Sequence, residues 1–176
     1  MTKTFVTSDT HFGHWGVCKF LRTDGTKLRP WEHPDDMDKV LVENWNAVVG
    51  PNDKVYHLGD VVMNRRCLKT MALLNGDKIL VKGNHDIFKL EDYTPYFRDI
   101  RAYVVLNNII FSHIPLHPQC KGRFKGNVHG HLHANLIDDP FYLNVSVEQT
   151  EYRPVNLESI FKHYNPQHGK ENKNGS

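Results

Sequence analysis

Hydrophobic and polar positions in the first half of the chain form short apolar runs separated by amphipathic segments. The runs KTFVTSD, KVYHLGD and DKILVKGNHD each predict a buried strand that ends in a polar turn. Between the first two runs, residues 34–49 carry apolar side chains at helical spacing, at Met37, Leu41, Trp45 and Val48. A second helix is predicted through RRCLKTMALLNG. This β-α-β-α-β order implies a parallel sheet with right-handed crossovers.

The second half has shorter apolar runs and closer turns. RAYVVLNNIIFSH predicts two strands joined by an Asn-Asn turn, which suits a hairpin. GNVHG and FYLNVSV are further strand candidates, and NLESIFKHY predicts a final helix capped by Asn156. We therefore expect residues 1–165 to form one α/β domain with a parallel first half and a hairpin-rich second half. Residues 166–176 are polar, lack apolar periodicity and are expected to be a disordered tail.

Composition narrows the classes of protein to which the chain can belong. Its hydrophobic content of 39%, charged content of 24% and net charge of +2 favour a globular protein without a broad affinity for nucleic acid or membranes. Three scattered cysteines and the lack of a secretory signal predict a reduced, cytoplasmic protein. The unusual residue is histidine, since five of the twelve lie between His113 and His133. Histidine binds metals and moves protons near neutral pH, so this cluster indicates a functional site.

Side chains that can bind metals follow five of the predicted strands. They occur in the motifs DTH (residues 9–11), GD (59–60), GNHD (83–86), SH (112–113) and GHLH (130–133). In open α/β sheets, ligands bind beyond the carboxyl ends of the strands, so these turns should converge. Each motif alone is also compatible with an ordinary turn or cap. The ordered set of five, each at a predicted strand end, indicates one metal-binding site.

This ordered set resembles the calcineurin-like metallophosphoesterase family, also called the dinuclear metallophosphatases. The resemblance covers residues 3–133 in motif order, with Ser112 standing where many members have glycine. It implies a four-layer α/β/β/α sandwich, and the short chain is similar to the small members that lack a cap domain. It further implies a phosphoric ester hydrolase, with phosphodiesters favoured over monoesters because small, uncapped members often act on diesters.

The resemblance also implies two divalent metal ions per chain. Their ligands would fall into two groups joined by a bridging carboxylate: Asp9, His11 and His133 for one ion, Asn84, His113 and His131 for the other, and Asp60 between them. A shared carboxylate offsets the repulsion between two cations about 3.5–4 Å apart. This mixture of ligands suits Mn²⁺, Fe or Zn²⁺ without selecting one. We expect Mn²⁺, with Ni²⁺ as a further alternative.

The same resemblance implies roles in catalysis. A hydroxide activated by the two ions would attack phosphorus, and His85, beside the ligand Asn84, would protonate the leaving group as the general acid. Asp86 either supports His85 or is a turn carboxylate. Substrate contacts are predicted at four residues that are also compatible with ordinary turns or solvated surface: His14, Arg65, His117 and Arg123.

Two other functions fit the same motifs. A non-catalytic metal-binding scaffold of this fold would be expected to lose residues such as His85 or the metal ligands, whereas all matched positions are intact here. A nuclease is the other alternative, although the modest net charge argues against extensive phosphate contacts with nucleic acid. The expected partner is therefore a small phosphoester, with nucleotides among the candidates, and no membrane or stable nucleic-acid partner is predicted.

Overall fold

Two β-sheets form the centre of the protein, and the computed structural model describes residues 1–165. The first sheet has the order β4-β3-β2-β1-β9 and the second the order β5-β6-β7-β8. The strands are β1 (Thr4–Thr7), β2 (Lys54–His57), β3 (Asp77–Val81), β4 (Asp99–Arg101), β5 (Val104–Leu106), β6 (Ile109–Phe111), β7 (Gly126–His129), β8 (Tyr142–Asn144) and β9 (Val155–Asn156). The α-helices are α1 (Pro34–Val48), α2 (Leu90–Tyr93) and α3 (Leu157–Tyr164), and the 3₁₀ helices are Gly16–Cys18, Arg65–Leu73, Pro118–Cys120 and Val147–Gln149. The predicted tail at 166–176 lies outside the described residues.

The central strands β1, β2 and β3 are parallel and apolar on both faces, as their continuous hydrophobic runs predict. Phe5 and Val55 belong to a core cluster shared with α1 and α2. Their neighbours Val6 and Tyr56 belong to a second cluster shared with the strands of the other sheet. Because side chains alternate along a strand, one short run supplies both cores. The predicted α/β fold class is confirmed.

The two predicted helices of the first half differ in type. Helix α1 spans Pro34–Val48 and buries Met37, Leu41 and Trp45 of its predicted stripe, while Val48 is half-buried. The His33 side chain accepts from the Asp35 N–H as the cap. The second is a 3₁₀ helix at Arg65–Leu73 rather than an α-helix. Its buried residues, Leu68 and Met71, are three positions apart, which matches the three residues per turn of a 3₁₀ helix. None of the helices in the described part of the chain has the length and apolar character needed to cross a membrane.

The second sheet contains the predicted hairpin but is otherwise parallel. Asn107 and Asn108 join β5 to β6 with positive φ angles of 49° and 62°, which suits a tight hairpin turn. Strands β6, β7 and β8 pair in parallel, because the segments 112–125 and 130–141 return the chain to the same end of the sheet. The short elements β4, β9 and α2 were not predicted. A bridge between Ser8 and Ser146 connects the carboxyl ends of β1 and β8, so the ends of both sheets meet at one edge.

Candidate metal centre

Side chains from four strand ends converge in two groups. Asp9, His11 and His133 form the first, and Asp60, His113 and His131 the second. Within each group the candidate ligand atoms lie within 4.8 Å of one another. The Asn84 Oδ1 atom joins the second group, 2.9 Å from His113 Nε2 and 2.9 Å from His131 Nδ1. All seven predicted ligands are therefore brought together in the predicted grouping, while their binding of metal stays a prediction.

Asp60 lies between the two groups. Its Oδ2 atom is 3.6 Å from His11 Nε2 and 3.4 Å from His113 Nε2. Its Oδ1 atom accepts a hydrogen bond from the His85 backbone N–H at 2.9 Å, which fixes the carboxylate. Burial raises the pKa of Asp60, but the hydrogen bond and charge of His113 outweigh it and hold the pKa below its usual range. One ionised oxygen facing both groups is the geometry that a bridging ligand requires.

The donor set suits divalent cations. Among the described residues, neither ring nitrogen of buried His11 has a hydrogen-bond partner. Such orphaned buried polar atoms are rare in folded proteins, and a metal ion would satisfy one of them. Burial, reinforced by the charge of Arg29, holds the pKa of His11 well below its usual value, so the ring is neutral and can donate a lone pair. Two carboxylates, one amide oxygen and four imidazoles fit two ions of the Mn²⁺, Fe or Zn²⁺ kind.

Backbone strain is concentrated in the same residues. Five of the candidate ligands have left-handed backbone angles: Asp9 (φ 58°), His11 (49°), Asp60 (57°), His131 (68°) and His133 (51°). Such conformations cost on the order of 1–3 kcal/mol each and cluster at functional sites. In GHLH, the left-handed angles at His131 and His133 end the alternation of side chains along the strand. These two histidines, two positions apart, therefore reach different groups.

Two glycines allow the backbone to approach the carboxylates. A Cβ atom on Gly83 would lie 2.2 Å from Asp60 Oδ1, and one on Gly130 would lie 2.2 Å from Asp9 Oδ2. Neither distance is possible without moving the carboxylate. These glycines therefore allow the backbone to pass close to the Asp60 and Asp9 carboxylates.

Hydrogen bonds behind the rings set the histidine tautomers. His113 Nδ1 donates to the Leu58 carbonyl at 2.8 Å, and His133 Nδ1 donates to Glu148 Oε1 at 3.0 Å. Each bond leaves Nε2 as the lone-pair donor that faces the centre. Burial lowers the pKa of His133, but the hydrogen bond and charge of Glu148 outweigh it and raise the pKa above its usual value.

Sequence reasoning missed the buried ion pair of Arg29 and Glu148 beneath the first group. The Arg29 Nε atom donates to Glu148 Oε1 at 2.8 Å, and its two Nη atoms donate to the Thr10 and Asp9 carbonyls at 2.8 and 2.5 Å. Ser146 Oγ donates to Asp9 Oδ2 at 2.9 Å. Glu148 follows the end of β8, so its position beyond a predicted strand could have indicated it. Arg29 lies in a loop and gave no such signal.

The two predicted catalytic residues have different surroundings. His85 is exposed, with its ring centroid 5.8 Å from that of His11. Asp86 is buried, and its oxygens accept from three backbone N–H groups, at distances of 2.8–3.0 Å, of Asp60, Val61 and Gly83. These contacts correspond to the turn-carboxylate alternative, in which Asp86 joins the loops after β2 and β3.

One of the four predicted substrate contacts lies beside the metal centre. The His14 ring centroid is 5.6 Å from that of His11. Arg65 forms an ion pair with helix α2, and His117 caps the third 3₁₀ helix. Arg123 is exposed in the loop before β7. The contacts at Arg65 and His117 are those of surface and turn residues, which were the alternatives for these positions.

We expect Glu148→Ala to destabilise the fold by about 3–5 kcal/mol, because it leaves the buried Arg29 charge without its partner. The matched control is Glu32→Ala, which removes an exposed ion pair with Lys27 and should cost about 0–1 kcal/mol. Urea unfolding of the metal-free variants measures both values. Equal losses in the two variants would contradict the structural importance of the buried pair.

Comparison with known proteins gives consistent matches. Residues 2–174 match the model of the calcineurin-like phosphoesterases. An uncharacterised protein of Methanocaldococcus jannaschii is 34% identical over 178 residues, spanning 92% of this chain and 91% of that protein. The gene 66 protein of Mycobacterium phage D29 is 30% identical over 78% of this chain and 81% of its own length. The crystal structure of a protein of unknown function from Aquifex aeolicus superposes with a TM-score of 0.67 at 26% identity, covering 92% of this chain and 99% of that one.

Proposed function

Since the chain belongs to the calcineurin-like phosphoesterase family, we propose that it hydrolyses phosphodiester bonds of small molecules at a centre of two divalent cations, with Mn²⁺ favoured. Phosphoester hydrolysis with bound divalent metal is common to the family. The diester preference, the number of ions and the choice of Mn²⁺ belong to the proposal. The observation that carries it is the Asp60 Oδ2 atom, which faces both ligand groups at 3.4–3.6 Å.

The chain's own residues divide the work. When bound, the two cations supply positive charge to the phosphoryl oxygens and lower the pKa of water to about 7. Asp60 fixes the spacing of the two groups, and the His85 backbone N–H fixes Asp60. The exposed ring of His85 lies beside the His11 ring, where it can donate a proton to the leaving oxygen. His14 borders the same space and is a candidate to contact the substrate.

The charge of Arg29, buried beneath the centre, is not available to a substrate, and this supports the diester preference. Hydrolysis of a monoester requires binding of a dianionic phosphoryl group, which is favoured by free cations near the metals. Arg29 is committed to Glu148 and to two backbone carbonyls. The singly charged phosphoryl group of a diester needs fewer such partners.

A panel of substrates tests this function. After reconstitution with Mn²⁺, we expect kcat/KM for a bis-aryl phosphate to exceed that for the aryl monophosphate by at least about tenfold, equivalent to 1.4 kcal/mol. Chelation should abolish the activity and added Mn²⁺ should restore it. Cyclic nucleotides and short oligonucleotides complete the panel.

Any different result from the panel would contradict one part of the proposal. Faster hydrolysis of the monoester would contradict the diester preference, and a preference for oligonucleotides would favour the nuclease alternative. Hydrolysis that resists chelation would contradict metal dependence. A protein with two bound ions and no turnover of any ester would be the non-catalytic scaffold.

A further inference from the structure

A pocket of about 320 Å³ adjoins the metal centre between two loops, residues 20–28 and 131–135. Its walls include apolar and polar side chains, among them Phe20, Leu21, Arg22, Leu28, Leu132 and Asn135. We propose that this pocket binds the organic group of the phosphoester, and that it selects groups with an aromatic ring, as in aryl esters and nucleotides. The proposal rests on the proposed function, because it places the phosphoryl group at the metal centre.

The pocket is continuous with the metal centre on two sides. His131 and His133, one candidate ligand from each group, also line the pocket. On the other side, the Phe20 and His14 rings are nearly perpendicular, with a centroid distance of 6.0 Å, and His14 adjoins His11. A phosphoryl group held between the two ligand groups would therefore direct one substituent into this pocket.

The loop that forms the outer wall has its own backbone hydrogen bonds, yet it presents apolar side chains to solvent. Leu28 N–H donates to the Phe20 carbonyl at 2.8 Å, and Arg22 N–H donates to the Thr26 carbonyl at 2.7 Å. Phe20 and Leu21 nevertheless remain 53% and 64% exposed. Large apolar side chains exposed around a concavity are typical of a ligand site.

The inner end of this loop is anchored below the ligands. Leu28 is buried and is followed by Arg29, whose guanidinium binds the Asp9 and Thr10 carbonyls. The buried charge of Arg29 therefore ties the inner end of the loop to the backbone beneath the metal centre.

The mixture of side chains that line the pocket indicates a ligand with an aromatic ring rather than a purely aliphatic group. The Phe20 ring and the planar guanidinium of Arg22 can both stack on a flat π-system. Leu28 and Leu132 supply an apolar wall, and Asn135 supplies a hydrogen-bonding edge. Aryl rings and nucleobases share this chemistry.

Binding of monoesters, the products of diester hydrolysis, tests the pocket directly. Calorimetry on the Mn²⁺-loaded protein compares methyl phosphate with phenyl phosphate and adenosine 5′-monophosphate. We expect both ring-bearing ligands to bind about tenfold more tightly than methyl phosphate, the usual gain from stacking one ring. Phe20→Ala and Leu21→Ser, both at exposed positions, should each lower this ratio toward one.

The matched control is Leu73→Ala, an exposed leucine at the end of the 3₁₀ helix Arg65–Leu73, which should keep the ratio. A preference for phenyl phosphate alone would restrict the pocket to aryl groups, and a preference shared by the nucleotide extends it to nucleobases. A ratio of one in the unmodified protein, or a ratio that survives both variants, would overturn the proposal. Metal-dependent binding of methyl phosphate reports on the metal centre alone. If the unmodified protein does not bind methyl phosphate in this way, the proposed function fails rather than the proposal for the pocket.

Discussion

Asp60→Asn is expected to impair both metal sites together and to abolish hydrolysis. Asp60 Oδ2 faces His11 in one group and His113 in the other, so its negative charge is shared by both sites. An amide at this position keeps the shape but removes the charge that offsets the repulsion between two cations. The loss of metal affinity should exceed the ~100-fold that loss of an outer hydrogen-bond partner costs.

Metal analysis after reconstitution and gel filtration measures this effect, with activity assayed on the same samples. Asp99→Asn is the matched control, because it removes an exposed carboxylate that pairs with Arg101. The control should retain the metal content of the unmodified protein. Unchanged metal stoichiometry in Asp60→Asn would contradict the bridging assignment.

His85→Asn is expected to lower kcat by about 10²- to 10⁴-fold, the usual contribution of a general acid, while the metal content is retained. The structure explains why this substitution should affect catalysis but not metal binding. The backbone N–H of His85 holds Asp60, and the substitution keeps that bond. The ring itself is exposed and adjacent to the centre, so its removal affects proton donation rather than the ligands.

A series of leaving groups sharpens this test. Esters whose alcohols are already acidic need little protonation, so the defect of His85→Asn should shrink as the pKa of the leaving alcohol falls. His163→Asn, an exposed histidine on α3, is the matched control and should show no such dependence. Loss of metal from His85→Asn would instead identify His85 as a ligand, and a uniform defect across the series would argue against a general acid.

The location of the site could be predicted because the motifs follow strand ends in order. Asp9, Asp60 and Asn84 come after β1, β2 and β3, and parallel pairing brings those ends to one edge. The convergence of His113 and GHLH on the same edge required the parallel pairing of β6 and β7. In the predicted hairpins, successive strands would end at opposite edges of the sheet. The parallel pairing observed here depends on the long connections between the strands, which the local sequence pattern did not indicate.

The residues that support the ligands could not be predicted from local sequence. Arg29 is 119 positions from Glu148, and only the fold brings this pair beneath Asp9 and His133. Their energetic importance comes from complete burial, which a single sequence does not display. Every second residue of HGHLH is a histidine, yet His129 stays buried on β7 while the left-handed angles at His131 and His133 separate the other two.

The central claim is that one carboxylate oxygen lies between two metal ions. Anomalous diffraction at the manganese edge, from crystals of the Mn²⁺-reconstituted protein, tests it most directly. The account predicts two peaks about 3.5–4 Å apart on either side of Asp60 Oδ2, one beside Asp9, His11 and His133 and the other beside Asn84, His113 and His131. A single peak, or two peaks that do not share Asp60, would contradict it.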